Sequence, residues 1–215
     1  MKTISILIMS LITSFIMAQC DPVTVVFSAG DGVSAISKTV TYQTVTGVKG
    51  EPDKCWITSN LGASNEATSV GDPSESAAGW YWQFNTLQGY AHDGTIRTPN
   101  NAWIVLPNGT SDWTNENDPC RILGEGWRIP TFLEWAHVDY SWWNWNYAYN
   151  SPLKLNAAGY IYSNGQLKNR GVQGWYWSST GAVYSSYGRT LWFWSATSNT
   201  TMTAKTIGES VRCLK

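Results

Sequence analysis

The segment from Asp118 to Trp135, Asp-Pro-Cys-Arg-Ile-Leu-Gly-Glu-Gly-Trp-Arg-Ile-Pro-Thr-Phe-Leu-Glu-Trp, constrains the fold of this chain more than any other. Pro130 biases Ile129 toward extended backbone, so Trp127 to Ile129 reads as a brief strand. Thr131 followed three residues later by Glu134 is a capping box: the hydroxyl accepts from a free amide at the helix start, and the carboxylate reaches back to the cap amide. A helix is therefore expected from Phe132 to about Tyr140, with Glu134 serving as a cap rather than a catalytic acid. Two later segments, Gly174 to Ser179 and Glu209 to Leu214, read as strands.

Residues 1 to 18 have the pattern of a secretory leader, with Lys2 ahead of a mostly apolar run from Ile4 to Met17 and the small residue Ala18 before Gln19. Acylation of Cys20 is the competing reading, but Gln19 stands where a small residue would precede a lipidated cysteine. No later run approaches the ~18 apolar residues of a membrane helix. Residues 19–215 read as one domain, because no Pro/Ser-rich or charge-run linker divides them.

Only 13% of residues are charged, whereas tryptophan alone occupies 14 positions. A chain so poor in charge cannot rest on ion pairs, and one so rich in indole must bury much of it. The formal net charge of −1 becomes one unit more negative when Lys2 is removed with the leader. Nothing there recruits nucleic acid, which demands a basic stripe, or an anionic membrane. Four cysteines in an exported chain, Cys20, Cys55, Cys120 and Cys213, imply disulfides in one of three pairings. Their spacing lacks the Cys-x-x-Cys or clustered His of a zinc site.

Alternation at Val23 to Phe27 and Ser37 to Val45, around a Gly-Asp-Gly turn at 30 to 32, reads as an antiparallel ribbon. Cys55 begins another short strand, and 64 to 78 reads as surface loop with at most one helical turn. Gly79 to Tyr90 alternates as a half-buried strand. The turn chemistry of Asp93-Gly94, Thr98-Pro99, Pro107-Asn108-Gly109 and 113 to 117 forbids long elements there. Ser141 to Asn150, five aromatics among asparagines, reads as a loop. Asn164-Gly165 marks a hairpin between Tyr160–Tyr162 and Gln166–Arg170, and Thr190 to Ala196 reads as a strand.

Taken in order, Cys55-Trp56 with Asn60-Leu61-Gly62-Ala63, Tyr81-Trp82-Gln83-Phe84, Asp118-Pro119-Cys120, Gly126-Trp127-Arg128-Ile129-Pro130-Thr131 with Glu134-Trp135, Tyr176-Trp177-Ser178-Ser179 and Ser210-Val211-Arg212-Cys213 resemble the Fibrobacter succinogenes major paralogous domain, common in exported proteins of Bacteroidetes-type bacteria. The resemblance spans roughly residues 40 to 215. It implies an α+β chain with the C-type lectin-like fold: antiparallel strands, one or two short helices and long loops. It further implies that the last strand lies near Trp127, which pairs Cys120 with Cys213 and leaves Cys20 for Cys55.

For chemistry, the two histidines, His92 and His137, fall in a turn-rich loop and in the capped helix, and the cysteines are accounted for as bridges, so an enzyme is not expected. Calcium is the one cofactor left open, because Asn115, Glu116, Asn117 and Asp118 offer oxygens, with Asp118 the best single candidate. Exposed Trp and Tyr rings stack on sugars and anchor protein interfaces. The expected ligand-binding residues are Trp143, Trp145 and Tyr147 in one patch, and Tyr184, Tyr187, Arg189 and Trp192 in another. Some proteins similar to this one diversify such C-terminal positions, which makes Tyr184, Tyr187, Arg189, Trp192 and Trp194 the candidates for variability. The reading is a secreted or outer-surface binding or adhesion module for extracellular glycan or protein. The alternative is a structural surface protein without a dedicated ligand site.

Overall fold

The computed structural model describes residues 20–101, 103 and 111–215; the expected leader at 1 to 18 and the Pro107-Asn108-Gly109 turn lie outside the described residues. Alternation at the start of the chain does what it should. Strands β1 (Val23–Phe27) and β2 (Lys38–Tyr42) pair antiparallel with Val25 opposite Val40, and bury Val25, Phe27, Val40 and Tyr42 on one face. Asp31 closes the connecting turn by accepting from the amides of Val33 and Ser34 at 2.8 and 2.7 Å. Short strand β3 (Thr44–Val45) then pairs with β4 (Trp56–Ile57).

A single helical turn, α1 (Glu75–Ala78), interrupts the polar loop as expected. The expected half-buried strand from Gly79 to Tyr90 is shorter and more deeply covered: only β5 (Trp82–Gln83) is regular, and every residue from Trp80 to Phe84 is buried. Alternation misleads here because neighbours cover both faces, so both sets of side chains are core. Hairpin β6 (Ala91–His92) and β7 (Arg97–Thr98) follows.

Helix α2 runs Phe132–Asp139 behind a complete capping box, with Thr131 Oγ1 accepting from the Glu134 amide at 3.2 Å and Glu134 accepting from the Thr131 amide at 2.7 Å. Arg128 grips the same carboxylate through two donors at 2.8 and 2.5 Å. The expected loop at 141 to 150 is corrected: helix α3 spans Trp145–Asn150, started by Asn144, whose side chain accepts from the Asn146 amide at 3.0 Å. Trp145 and Ala148, three apart, supply its inward stripe. An asparagine cap ahead of aromatics was enough, although aromatics are mediocre helix formers.

Strands β8 (Tyr160–Ile161) and β9 (Leu167–Lys168) form the hairpin expected around Asn164-Gly165. A three-stranded meander follows, β10 (Gly174–Gly181), β11 (Tyr187–Trp194) and β12 (Thr197–Ala204), with α2 packed against it. The expected strand at Thr190 to Ala196 is thus longer at its start and shorter at its end. The third strand, Thr-Ser-Asn-Thr-Thr-Met-Thr-Ala, is an addition; it carries no apolar alternation, and its four threonines fit a pleated surface by β-branching.

The C-terminal segment is the spine that joins these pieces. Strand β13 (Gly208–Glu209) pairs with both β5 and β8, Ser210 bridges β10, Leu61 donates to Val211 at 2.9 Å, Ile57 donates to Cys213 at 3.1 Å, and Leu214 exchanges bonds with Arg128 at 3.0 and 2.9 Å. The strand expected from Glu209 to Leu214 is regular only at Gly208–Glu209, but the segment that follows it does reach the neighbourhood of Trp127 through the Leu214–Arg128 bridge. Disulfides join Cys20 to Cys55 and Cys120 to Cys213. Arg212, on the same spine, is fully buried and donates to the carbonyls of Ile57 and Leu153 and to Asn60 Oδ1, so the segments at 57 to 60 and at 153 share one guanidinium. Eight of the 14 indoles, at 56, 80, 82, 103, 113, 127, 135 and 177, are buried, which meets the demand that a charge-poor chain spend its indoles on the core.

Candidate ligand-binding groove

The turn at 47 to 52 approaches the C-terminal end of α2 so closely that a Cβ on Gly50 would stand 2.4 Å from the His137 carbonyl oxygen. Gly50 also has φ +96°, which a side chain rarely tolerates. Glycine is thus required twice at this position. The neighbouring Glu51 fixes the turn through a 2.6 Å contact with His137 Nδ1, and the Gly47 amide closes it on the Pro52 carbonyl at 2.9 Å. Val48 is pressed into the interior as a result.

On the other side, the Trp142 amide donates to the Asp139 carbonyl at 2.7 Å, turning the chain from α2 into α3. Ser151 ends α3 by donating from its hydroxyl to the Ala148 carbonyl at 2.7 Å. Between turn and helices lies a groove of about 360 Å³. Val48 and Lys49 form one wall, Val138, Ser141 and Trp142 the base, and Asn146, Tyr147 and Asn150 the α3 wall, with Ser151 and Pro152 at the end. Its volume falls in the ~300–1,000 Å³ range of small-ligand sites. The lining combines apolar and aromatic surface from Val48, Val138, Trp142 and Tyr147 with the amides of Asn146 and Asn150, the hydroxyls of Ser141, Tyr147 and Ser151, and the ammonium of Lys49.

The electrostatics beside the groove are set by burial. Asp139, at the α2 terminus, has its carboxyl pushed up to about 6 by desolvation, which the hydrogen bond from Ser198 on β12 only partly offsets. This bond ties α2 to the meander, and none of the residues lining the groove is an acid.

Of the expected ligand-binding residues, Tyr147 lines the groove and is about half exposed. Trp143 precedes α3 and is 75% exposed, outside the lining. Trp145 instead packs partly buried against the core beneath the helix. Tyr184 and Tyr187 form an edge-to-face pair 6.3 Å apart at the β10–β11 connection. Arg189 is engaged within the protein, its guanidinium 4.6 Å from the Phe132 ring. Trp192 lies on the meander 5.6 Å from Trp175, which in turn is 5.5 Å from Tyr160. None of Tyr184, Tyr187, Arg189 and Trp192 lines the groove; the two expected patches do not form one site.

Asp118 turns out to be a structural cap: its two oxygens accept from the Cys120 and Ile129 amides, each at 2.9 Å. Burial raises its pKa against those two bonds. Among the described residues no group of three or more His, Cys, Asp and Glu side chains is placed to hold a metal ion. His92 is buried, with Nδ1 accepting from the Gly94 amide at 3.0 Å, and His137 is taken up by Glu51. Sequence reasoning missed Val48, Lys49, Asn146 and Asn150. The asparagines follow from the α3 register once the helix is known, whereas the turn at 47 to 52 reaches the site across some ninety positions of chain and leaves no local signal.

Fold and site together define an α+β protein of mostly antiparallel strands with few short helices, held by two disulfides and carrying an aromatic groove beside its helices. Among the described residues no helix is long and apolar enough to cross a membrane. No protein-family model matches the chain, and no curated protein or solved structure matches it either.

Proposed function

We propose that this protein is a secreted or outer-surface binding module of C-type lectin-like fold, related to the Fibrobacter succinogenes major paralogous domain, that recognises an extracellular saccharide in the groove between the 47–52 turn and α3. The observation that carries the reading is the lining itself: Trp142 and Tyr147 over Val48 and Val138, with Asn146 and Asn150 at the rim. The two disulfides fit an oxidising compartment. A protein ligand would use the same rings as anchors, but the modest concave volume favours a sugar over a flat interface.

A glycan array probed with the wild type and with Trp142→Ala plus Tyr147→Ala tests this. At least one glycan is expected to bind, with an affinity loss of about tenfold or more in the double variant, since each ring supplies part of the stacking surface. Trp143→Ala, outside the lining, is the control and should bind normally. Absence of binding to every glycan and protein probe, with cell attachment unchanged on deletion, would instead leave the structural surface protein, whose aromatics serve only to hold the domain together.

A further inference from the structure

The two hairpins β6–β7 and β8–β9 lie against one another, and a second cleft, of about 580 Å³, opens between them. Arg97 of β7 reaches across so that its Nη1 is 2.3 Å from where a Cβ on Gly165 would stand. Gly165 has φ +83°, a backbone conformation that side chains rarely adopt, and its bare Cα leaves the guanidinium room to lie against the turn. Its carbon sits 5.2 Å from the Tyr90 ring and 4.9 Å from the Trp103 ring, and two of its donors are spent on the carbonyls of Pro99 and Asn101. Among the described residues Nη1 has no acceptor, and the lining contains Arg97 and Lys168 but no carboxylate. Just outside the lining, Arg170 donates to the His92 carbonyl and to the Tyr81 hydroxyl. Asp93, the nearby acid, has Oδ1 turned onto the amides of Thr95 and Ile96 at 2.7 and 2.6 Å.

A guanidinium fixed by two aromatic rings, left with unspent donors among the described residues and sharing its cleft with an exposed lysine, is prepared for an anion. The remaining lining narrows the ligand further. Asn100, Asn164, Gln166 and Thr95 offer amide and hydroxyl groups, as hydroxyl-bearing ligands need, and the cleft is far larger than a bare ion requires. Tyr90 and Trp103 are buried behind the guanidinium, so no ring is presented for base stacking, and two cations do not make the basic stripe that nucleic acid demands. We propose that this cleft binds an acidic saccharide, one bearing a carboxylate or sulfate ester that pairs with Arg97 and Lys168 while its hydroxyls meet the amides. The site is separate from the α3 groove and stands or falls without it.

Titration calorimetry with a heparin-derived hexasaccharide, a hexagalacturonate and neutral maltohexaose tests it and separates sulfate from carboxylate recognition. At least one acidic probe is expected to bind at 50 mM NaCl and to weaken about fivefold or more by 300 mM, as screening of exposed charges requires. Lys168→Glu, at an exposed position, should weaken that probe at least about tenfold with an unchanged melting temperature. Trp142→Ala plus Tyr147→Ala should leave it untouched, which tells this cleft from the groove. In nitrogen-resolved NMR the Arg97 Nε–H signal should move on titration, a readout that needs no variant of Arg97. No binding of either acidic probe, equal binding of maltohexaose, or full affinity in Lys168→Glu overturns the proposal.

Discussion

The indole N–H of Trp177 donates to the backbone carbonyl of Trp82 at 2.6 Å, and the carbonyl of Trp177 itself accepts from the indole of Trp135 at 3.0 Å. One relay of indoles thus fastens α2 to β10 and β10 to β5, with all three rings fully buried. Replacing Trp177 by Phe removes the donor, leaves the buried Trp82 carbonyl short of a partner and opens a small void. Together these are expected to cost about 2–4 kcal/mol, measured as a shift in the denaturant midpoint with little change in slope. Trp143→Phe, at an exposed ring, should shift it by less than about 0.5 kcal/mol.

Glu209 is fully buried, and burial pushes its carboxyl up to about 8, against the opposing hydroxyl of Thr190, which donates to it at 2.5 Å. Its pKa is higher folded than unfolded, so between about 4.5 and 8 the folded state holds a proton that the unfolded state has lost. Stability therefore falls as pH rises through that window, by up to about 1.4 kcal/mol per unit, and Asp139 adds the same sign below about 6. On the acid side, Arg128 and the Thr131 cap hold Glu134 below the ordinary range in spite of burial, and that contribution is lost as pH falls past it. Melting temperature should be higher near pH 6 than at pH 8.5, and Glu209→Gln should flatten the alkaline limb. An unchanged alkaline limb in that variant would remove Glu209 from the account.

The two disulfides close loops of 93 and 35 residues. Chain entropy assigns about 5 kcal/mol to Cys120–Cys213 and about 4 kcal/mol to Cys20–Cys55. Cys120→Ser with Cys213→Ser should be the more damaging pair, because it also unties the C-terminal spine from the turn that Asp118 caps. Equilibrium unfolding of the two double variants compares them directly.

Gly50→Ala places a methyl group against the His137 carbonyl and asks alanine to hold φ +96°. A loss of about 1–3 kcal/mol is expected as the 47–52 turn shifts. Because Val48 and Lys49 form one wall of the groove, saccharide binding there should weaken while binding at the Arg97 cleft persists. Calorimetry with a groove ligand and an acidic oligosaccharide reads both on one protein.

Read alone, the sequence determines those features whose physical cause is local. The capping box of Thr131 and Glu134, the Val23–Phe27 alternation and the Asn164-Gly165 turn act over a few residues, and each stands where the sequence places it. Sparse charge and abundant tryptophan likewise dictate an indole-filled core, whereas the cysteines alone leave three pairings open and Cys120 with Cys213 is only what the family resemblance implies. What only tertiary structure decides is what covers each ring. Trp145 and Trp143 have the same chemistry two positions apart, yet Trp145 opens α3 on its inward stripe whereas Trp143 lies ahead of the Asn144 cap in solvent. Asp118 has the makings of a metal ligand in sequence, but the fold delivers two amides to its oxygens. The groove joins a turn near residue 48 to a helix near residue 147, and the Arg97 cleft joins two hairpins some seventy residues apart. No local pattern encodes such meetings, because each depends on contacts between segments some seventy or more positions apart in the chain.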